Sequence, residues 1–521
     1  MRIYHGNIVT CNWKGAVYNY LVEDEGEIVF VGDQLPDIYQ DHLLRVELGS
    51  RALLPAFGDG HIHFSNWAVI NATFDVRNAS DFYEIGQIIQ DYASKDKKAK
   101  ILFGYGHSRH SLIEKRLITR SELDQYVKDR PVFLVCYDGH SAVANSKALG
   151  ILPRKIRDLR GFNLETGQLF DRAFLEAVDF VSGKIKLPTL ASYLLQGIDS
   201  LAEYGVGLVH NVEGVGYPRD FNVDLVRFLS KSTQVQFRTY FQTMDTDKVL
   251  KRDLPRIGGC FACALDGSFG NGDAALTEPY TDDQYNSGVL FYRDEEVTEF
   301  VKKANRANLQ IQLHCVGDAA VVQAVNALDA ALKDYPRKDH RHTLIHACLI
   351  PEKSMEKIAE LNIGVNIQPG FLISPLEPPR YYEAILGERA WKIWPIKKML
   401  EMGINVSGGS DAPVGVPNPL ESMNGACNHY VTDSAVGLGD ALCMYTYNIA
   451  HTSFDENERG SLEEGKLADM VLLSGNPFET DTRNLDQLKV EKLYFSGEEY
   501  DGSKSVLQAI IEGVRNRGSR G

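Results

Sequence analysis

Two imidazoles stand two residues apart in FGDGHIHFS, directly after the apolar run RALLPA: His61 and His63. On a β-strand alternate residues share a face, so both rings can point into one cavity. Taken alone, the pair is better explained as two hydrogen-bonded surface or core histidines. Three more residues change that reading. LQIQLHCVGD carries His314 near the end of an apolar run, HTLIHACLI carries His346, and INVSGGSDAP ends on Asp411. Neutral imidazoles and a carboxylate are good ligands for a borderline divalent cation such as zinc. A buried Asp411 with neither a cation nor donors beside it would be costly.

These residues lie far apart in the chain, so a fold must gather them. Between the two ends of the sequence, apolar strands such as GVGLVHNV and VQFRTYF alternate with helical patterns such as AAVVQAVNALDAALKDY. Eight strand–helix units of this size predict an α/β fold, a (β/α)8 TIM barrel, whose strand ends share one rim. The first two units are too widely spaced, which predicts an insertion over about residues 74–190 with its own strands, AKILFGYG and RPVFLVCYD. Both termini read as short strands with glycine turns. Neither can bury a core alone, so they are expected to pair into one β-sandwich domain, residues 1–53 and 455–521, around a barrel of residues 54–454.

With 44% hydrophobic and 24% charged residues the chain has an ordinary soluble globular balance. A formal net charge of −15 argues against nucleic acid or anionic membranes as partners and leaves a small molecule. No apolar run approaches a membrane span or a signal peptide, and the eight cysteines, in so long a chain, do not read as a disulfide scaffold. The expected compartment is the cytoplasm. No Gly-x-Gly-x-x-Gly follows a strand, and neither a Walker-type loop nor a Gly-x-Ser-x-Gly elbow occurs, so nucleotide binding and serine hydrolysis are unsupported.

LLPAFGDGHIHF, LHCVGDAAV, HTLIHACLI, VSGGSDAPV and RGSLEEGKLADMVLLSGNP together resemble the amidohydrolase superfamily, and most closely its N-substituted formamide deformylase-like members. DGHSAVANSKAL and ALDGSFGN are similar to further motifs of that group. The resemblance implies a metal-dependent hydrolase, with His61, His63, His314, His346 and Asp411 as metal-site and catalytic residues and a homodimer as the assembly. One departure matters. Aligned on Asp266-Gly267-Ser268, the lysine that bridges two metals in dinuclear members falls on Ala262, which implies one divalent ion, zinc preferred, rather than two. Cys260, Cys263 and Asp266 are the alternatives for a bridging ligand.

The expected chemistry is hydrolysis of a C–N bond in an amide or formamide. Asp411 takes the proton of a metal-activated water and passes it to the leaving nitrogen, and His346 is a ligand or steadies the oxyanion. The alternatives are a mononuclear-metal deaminase of a cyclic amidine and a non-enzymatic binding protein on the same fold. His140, Asn145 and Gln368 are the candidate substrate-binding residues. His107, Arg109 and His110 read better as a solvated surface than as contacts to an anionic or polar substrate group, while His210 and Glu213 read equally well as supports of the site or as structural hydrogen-bonding residues. Tyr381, Tyr382, Trp391 and Trp394 line a pocket, pack their loop down or form an interface.

Overall fold

The computed structural model describes residues 1–12, 16–42, 44–97, 99–109, 111–137, 139, 141–375 and 377–516. Eight parallel strand positions form a nearly closed barrel: Phe57–Ile62, Val206–Glu213, the short pair Gln236–Phe237 and Tyr240–Phe241, Arg256–Ala264, Gln310–Cys315, Thr343–His346, Gly364–Ile367 and Val406–Gly408. Each pairs with the next in chain order. Nearly every residue on them is buried, as a parallel sheet jacketed by helices requires.

The eighth strand does not form a ladder with the first. Two backbone bonds close the gap at the C-terminal end instead, Asp411 N to His61 O at 2.8 Å and His63 N to Ala412 O at 3.0 Å. The jacket follows the amphipathic rule. Helix Asp318–Asp334 buries Ala320, Val321, Ala324, Val325, Leu328 and Ala331, one stripe at helical spacing, against the barrel.

A separate layer lies between helix Phe64–Asn71 and helix Leu187–Glu203. It has its own five-stranded sheet, in the order Gln168–Phe170, Ser141–Ala144, Val132–Cys136, Leu102–His107, Phe74–Asp75. Alternation along Val132–Cys136 serves both faces. Val132 and Leu134 join one apolar cluster with Ile85, Ile89 and Leu123, while Phe133 and Val135 join another with Leu149, Phe174 and Val181.

The termini meet as expected, in one seven-stranded sheet ordered Glu498–Glu499, Val490–Phe495, Met470–Leu473, Arg45–Pro55, Arg2–Val9, Val17–Asp24, Glu27–Gly32. Tyr4, Ile8, Leu21, Leu53, Leu462 and Met470 belong to its core. The chain leaves this sheet earlier than residue 521. Tyr500 and Ser503 hydrogen-bond Asp199 on a barrel helix. The last helix, Val506–Arg515, then packs on the barrel helices Leu187–Glu203 and Phe221–Ser230. Its Gly513 faces the Phe228 ring with no room for a side chain between them. Among the described residues no helix is long and apolar enough to cross a membrane.

Candidate metal centre and its cavity

Asp59, on the first barrel strand, ties the site together. Its Oδ1 accepts from His61 N at 3.1 Å and Ser410 N at 3.0 Å, and its Oδ2 accepts from Ser410 Oγ at 2.5 Å. One side chain thus fixes the backbone that presents His61 and the backbone that presents Asp411. Burial pushes its carboxyl up to about 6 against these hydrogen bonds. Gly409 makes the close approach possible, since a Cβ there would sit 2.8 Å from His61 N. Asp411 and His346 both hold left-handed backbone conformations, φ 54° and 67°, the kind of strained position that gathers at functional sites.

All five anticipated side chains converge. His61 Nε2 and His63 Nε2 each lie 3.2 Å from Asp411 Oδ1, yet no donor is aligned on that oxygen as a hydrogen bond. The ring centroids of His314 and His346 are 4.6 Å apart, and those of His61 and His346 5.7 Å. Burial lowers the His61 imidazole to about 4 and lowers His346 as well, so both present as neutral ligands. Burial works against the Asp411 charge, but the imidazoles of His61, His63 and His346 packed around it hold the carboxyl well below its usual range. Buried lone pairs aimed at a common point, on imidazoles and a carboxylate, fit a divalent cation.

Ala262, at the position expected for the bridging lysine, lines a neighbouring cavity and offers no ligand atom. The ladder between the fourth and fifth strands pairs Gly259 with Leu313 and then Ala264 with His314, so four residues bulge out of register. Strand parity therefore does not fix which side chain of this stretch faces the cluster. Cys260 occupies the place. Its Sγ is 3.3 Å from His61 Nε2, 3.3 Å from His314 Nδ1 and 3.7 Å from His346 Nε2. The donor atoms of His61, Cys260, His346 and Asp411 all lie within 4.8 Å of one another. Cys263 is buried and stands outside this group of donor atoms. Asp266 is an anchor, not a bridge. It accepts from Ala275 N, Val316 N and Gly317 N, and burial pushes its carboxyl up to about 7.

Two of the anticipated substrate contacts have their side-chain amides engaged within the protein. Gln368 does end the seventh strand, but its Oε1 accepts from His346 Nδ1 at 2.6 Å and its Nε2 donates to Asn366 Oδ1 at 3.0 Å. Its amide is spent on positioning His346. Asn145 is fully buried. Its Oδ1 accepts from Val132 N and Ala148 N, and its Nδ2 donates to Val127 O and Arg130 O, which leaves nothing for a ligand. His140 and His110 lie outside the described residues. His107 Nε2 accepts from Ile118 N within the insertion. Glu213 binds Ser65 and Asn222, fixing helices after the first two strands. His210 is buried within the second strand.

The centre opens into a cavity with two arms. One is lined by Val69, Ile70, Phe103, Val178, Ile185 and Tyr217. The other is lined by Phe269, Phe371, Tyr382, Trp394 and Glu377. Trp394 also pins the end of the sixth strand, its Nε1 donating to His346 O at 2.6 Å. Tyr381 ties its loop to Phe269 O, and Trp391 packs on Tyr430 at the surface.

A barrel with histidines from its first, fifth and sixth strands, an aspartate after its eighth and a separate sheet from both termini defines a class of metal-dependent hydrolases. The profile of the amidohydrolase family matches residues 46–500, and the chain belongs to that family. It is 27% identical to the putative amidohydrolase YtcJ of Bacillus subtilis (strain 168), over 93% of this chain and 98% of that protein. It is 24% identical to the N-substituted formamide deformylase of Arthrobacter pascens, over 95% and 97%. An uncharacterized metal-dependent hydrolase from Pyrococcus furiosus superposes with a TM-score of 0.73 at 25% identity, covering 91% of this chain and 99% of that one.

Proposed function

We propose that this protein is a zinc-dependent hydrolase that cleaves the C–N bond of a small amide or formamide. The observation that carries the reading is Asp411. Its carboxylate, buried and kept ionised, stands beside the histidine cluster at the floor of an apolar cavity. A divalent cation bound there supplies a water of lowered pKa and polarises the substrate carbonyl. His61, His63, His314, His346 and Cys260 are the residues available to hold it. Asp411 accepts the proton from water and delivers it to the leaving nitrogen. His346 is assigned as a ligand only. With its Nδ1 proton given to Gln368 Oε1, its Nε2 carries a lone pair and no N–H for an oxyanion.

The cavity also bears on the substrate. Among the described residues no lysine or arginine lines either arm, so an anionic group would enter without a counter-charge. Neutral or cationic amides with an apolar or aromatic substituent suit the walls. The test is a screen of N-formyl and N-acyl amides of aromatic amines, with N-acyl amino acids and cyclic amidines as comparators. Release of amine and carboxylate in equal amounts is the expected result, whereas release of ammonia from a ring amidine would identify a deaminase. Asp411→Asn should lose about 10²–10⁴-fold in turnover while the protein stays folded. Full activity in that variant removes the proton shuttle.

A further inference from the structure

A buried cysteine is ordinarily a small apolar packing residue. Cys260 is not packed that way, because three ring nitrogens stand within 3.7 Å of its sulfur. The donors around it fall into two groups. On one side His61 and His63 meet at Asp411 Oδ1. On the other are His314 and His346, and each has its outer nitrogen occupied. His314 Nε2 donates to Gly267 O at 3.1 Å and His346 Nδ1 donates to Gln368 Oε1 at 2.6 Å. Their remaining nitrogens, Nδ1 of His314 and Nε2 of His346, face Sγ at 3.3 and 3.7 Å. Donor atoms 3.2–3.7 Å apart have the separations of ligands sharing one ion at about 2.0–2.3 Å.

The backbone is shaped to deliver this sulfur. Gly258 and Gly259, the last paired residues before the bulge of the fourth strand, hold φ values of 110° and 115°, and Phe261, within the bulge, holds 48°. A Cβ on Gly258 would collide with Gln312 O, and one on Gly259 would meet Val212. Both glycines let the strand turn inward just before Cys260.

We propose that the Cys260 thiolate bridges two divalent cations, one held with His61, His63 and Asp411 and the other with His314 and His346. Two cations sharing a ligand sit about 3.5–4 Å apart, and a sulfur between the two donor groups can reach both. As the metal–sulfur bonds form, the thiol proton leaves to solvent, so no oxidant or reductant enters. The assignment rests on the metal-dependent reading of the site but not on the identity of the bond cleaved.

Cobalt(II) titration of the full-length apoprotein tests it without relying on turnover. About two equivalents should bind, with a near-ultraviolet sulfur-to-cobalt charge-transfer band that grows through both. Cys260→Ser should abolish the band and drop the stoichiometry to one ion or fewer. Cys263→Ser, on the same strand, should keep both. Wild-type protein that binds cobalt with no sulfur band overturns the bridge, as does a Cys260→Ser variant that holds two ions. Should the variant fail to fold, X-ray absorption of the wild-type protein decides, through the presence or absence of a sulfur scatterer on each ion. A sulfur band with no amidase activity would strike the proposed hydrolysis and spare the bridge. Amidase activity without a sulfur band would do the reverse.

Discussion

An imidazole offers a cation only the nitrogen that its neighbours leave bare, so the groups behind a ligand set its affinity as surely as the ligand does. Behind His346 stands a relay: Gln368 Oε1 accepts from Nδ1, Gln368 Nε2 donates to Asn366 Oδ1, and Asn366 Nδ2 donates to Ser407 Oγ. Gln368→Leu removes the acceptor and frees the ring to turn. Metal affinity should fall about 10–100-fold, read by competition with a chelator. Gln368→Glu should restore most of it, because the Asn366 amide can flip and Ser407 can donate in its place. Equal affinity in the leucine variant would show that Gln368 does not position the ring. The convergence of His61, His63, His314, His346 and Asp411 was legible in the sequence because each follows an apolar run, and a strand end in a barrel faces the rim. The same rule made Gln368 a substrate contact. What it could not show is that its amide is spent on the neighbouring strand, a contact between residues 22 apart. Cys260 stood among three alternatives with Cys263 and Asp266, and choosing between them was harder, since parity counting assumes a regular strand and the bulge breaks it.

At the scale of elements, the barrel closes through the very segments that carry its ligands. The eighth strand, Val406–Gly408, is three residues long, and the seam is held by Asp411 N, His63 N and the Asp59 side chain. Such a seam needs close backbone contact. A methyl group at position 409 would stand 2.7 Å from Asn366 Oδ1 and 2.8 Å from His61 N, and backbone cannot step aside as a side-chain tip does. Gly409→Ala should cost about 1–3 kcal/mol, seen as a lower unfolding midpoint, and should weaken metal binding. Gly439→Ala is the control, since no atom lies within 4 Å of its added carbon and its helix tolerates alanine. It should be neutral or slightly stabilising. Equal midpoints for the two variants would mean that the seam does not need the glycine. Strands and insertion could be read from alternation and apolar runs. The docking of helix Val506–Arg515 on the barrel could not, because an amphipathic face says that something covers it and not what.

For the molecule as a whole, the terminal sheet and the barrel are joined by a buried charge network centred on Asp455. Arg238, beside the third strand, donates from Nε and Nη2 to both carboxylate oxygens at 2.8 and 2.5 Å. Arg459 Nη1 adds a bond at 2.9 Å and passes its Nε to Asp469 Oδ2 at 3.0 Å. Asp469 in turn accepts from Ser496 N of the sheet and, through its carbonyl, from Ala56 N at the barrel entrance. Removing one member of such a network leaves the others charged and out of water, so Asp455→Asn should destabilise by about 3 kcal/mol near neutral pH. Its pH dependence has a definite sign. Burial would raise the Asp455 carboxyl, but hydrogen bonds and charge from Arg238, with Ser453 and Arg459, hold it at about 2, below the roughly 3.9 of an unfolded chain. A depressed carboxyl contributes stability that is present above about pH 4 and is lost as pH falls through about 2. Unfolding midpoints of parent and Asp455→Asn, both metal-free so that metal loss in acid does not intrude, should therefore differ by a constant amount from pH 5 to 8. The gap should then narrow below pH 4. A gap that stays constant into acid, or widens there, would show that the two arginines do not hold this carboxylate ionised and that the sheet is fastened to the barrel by packing alone.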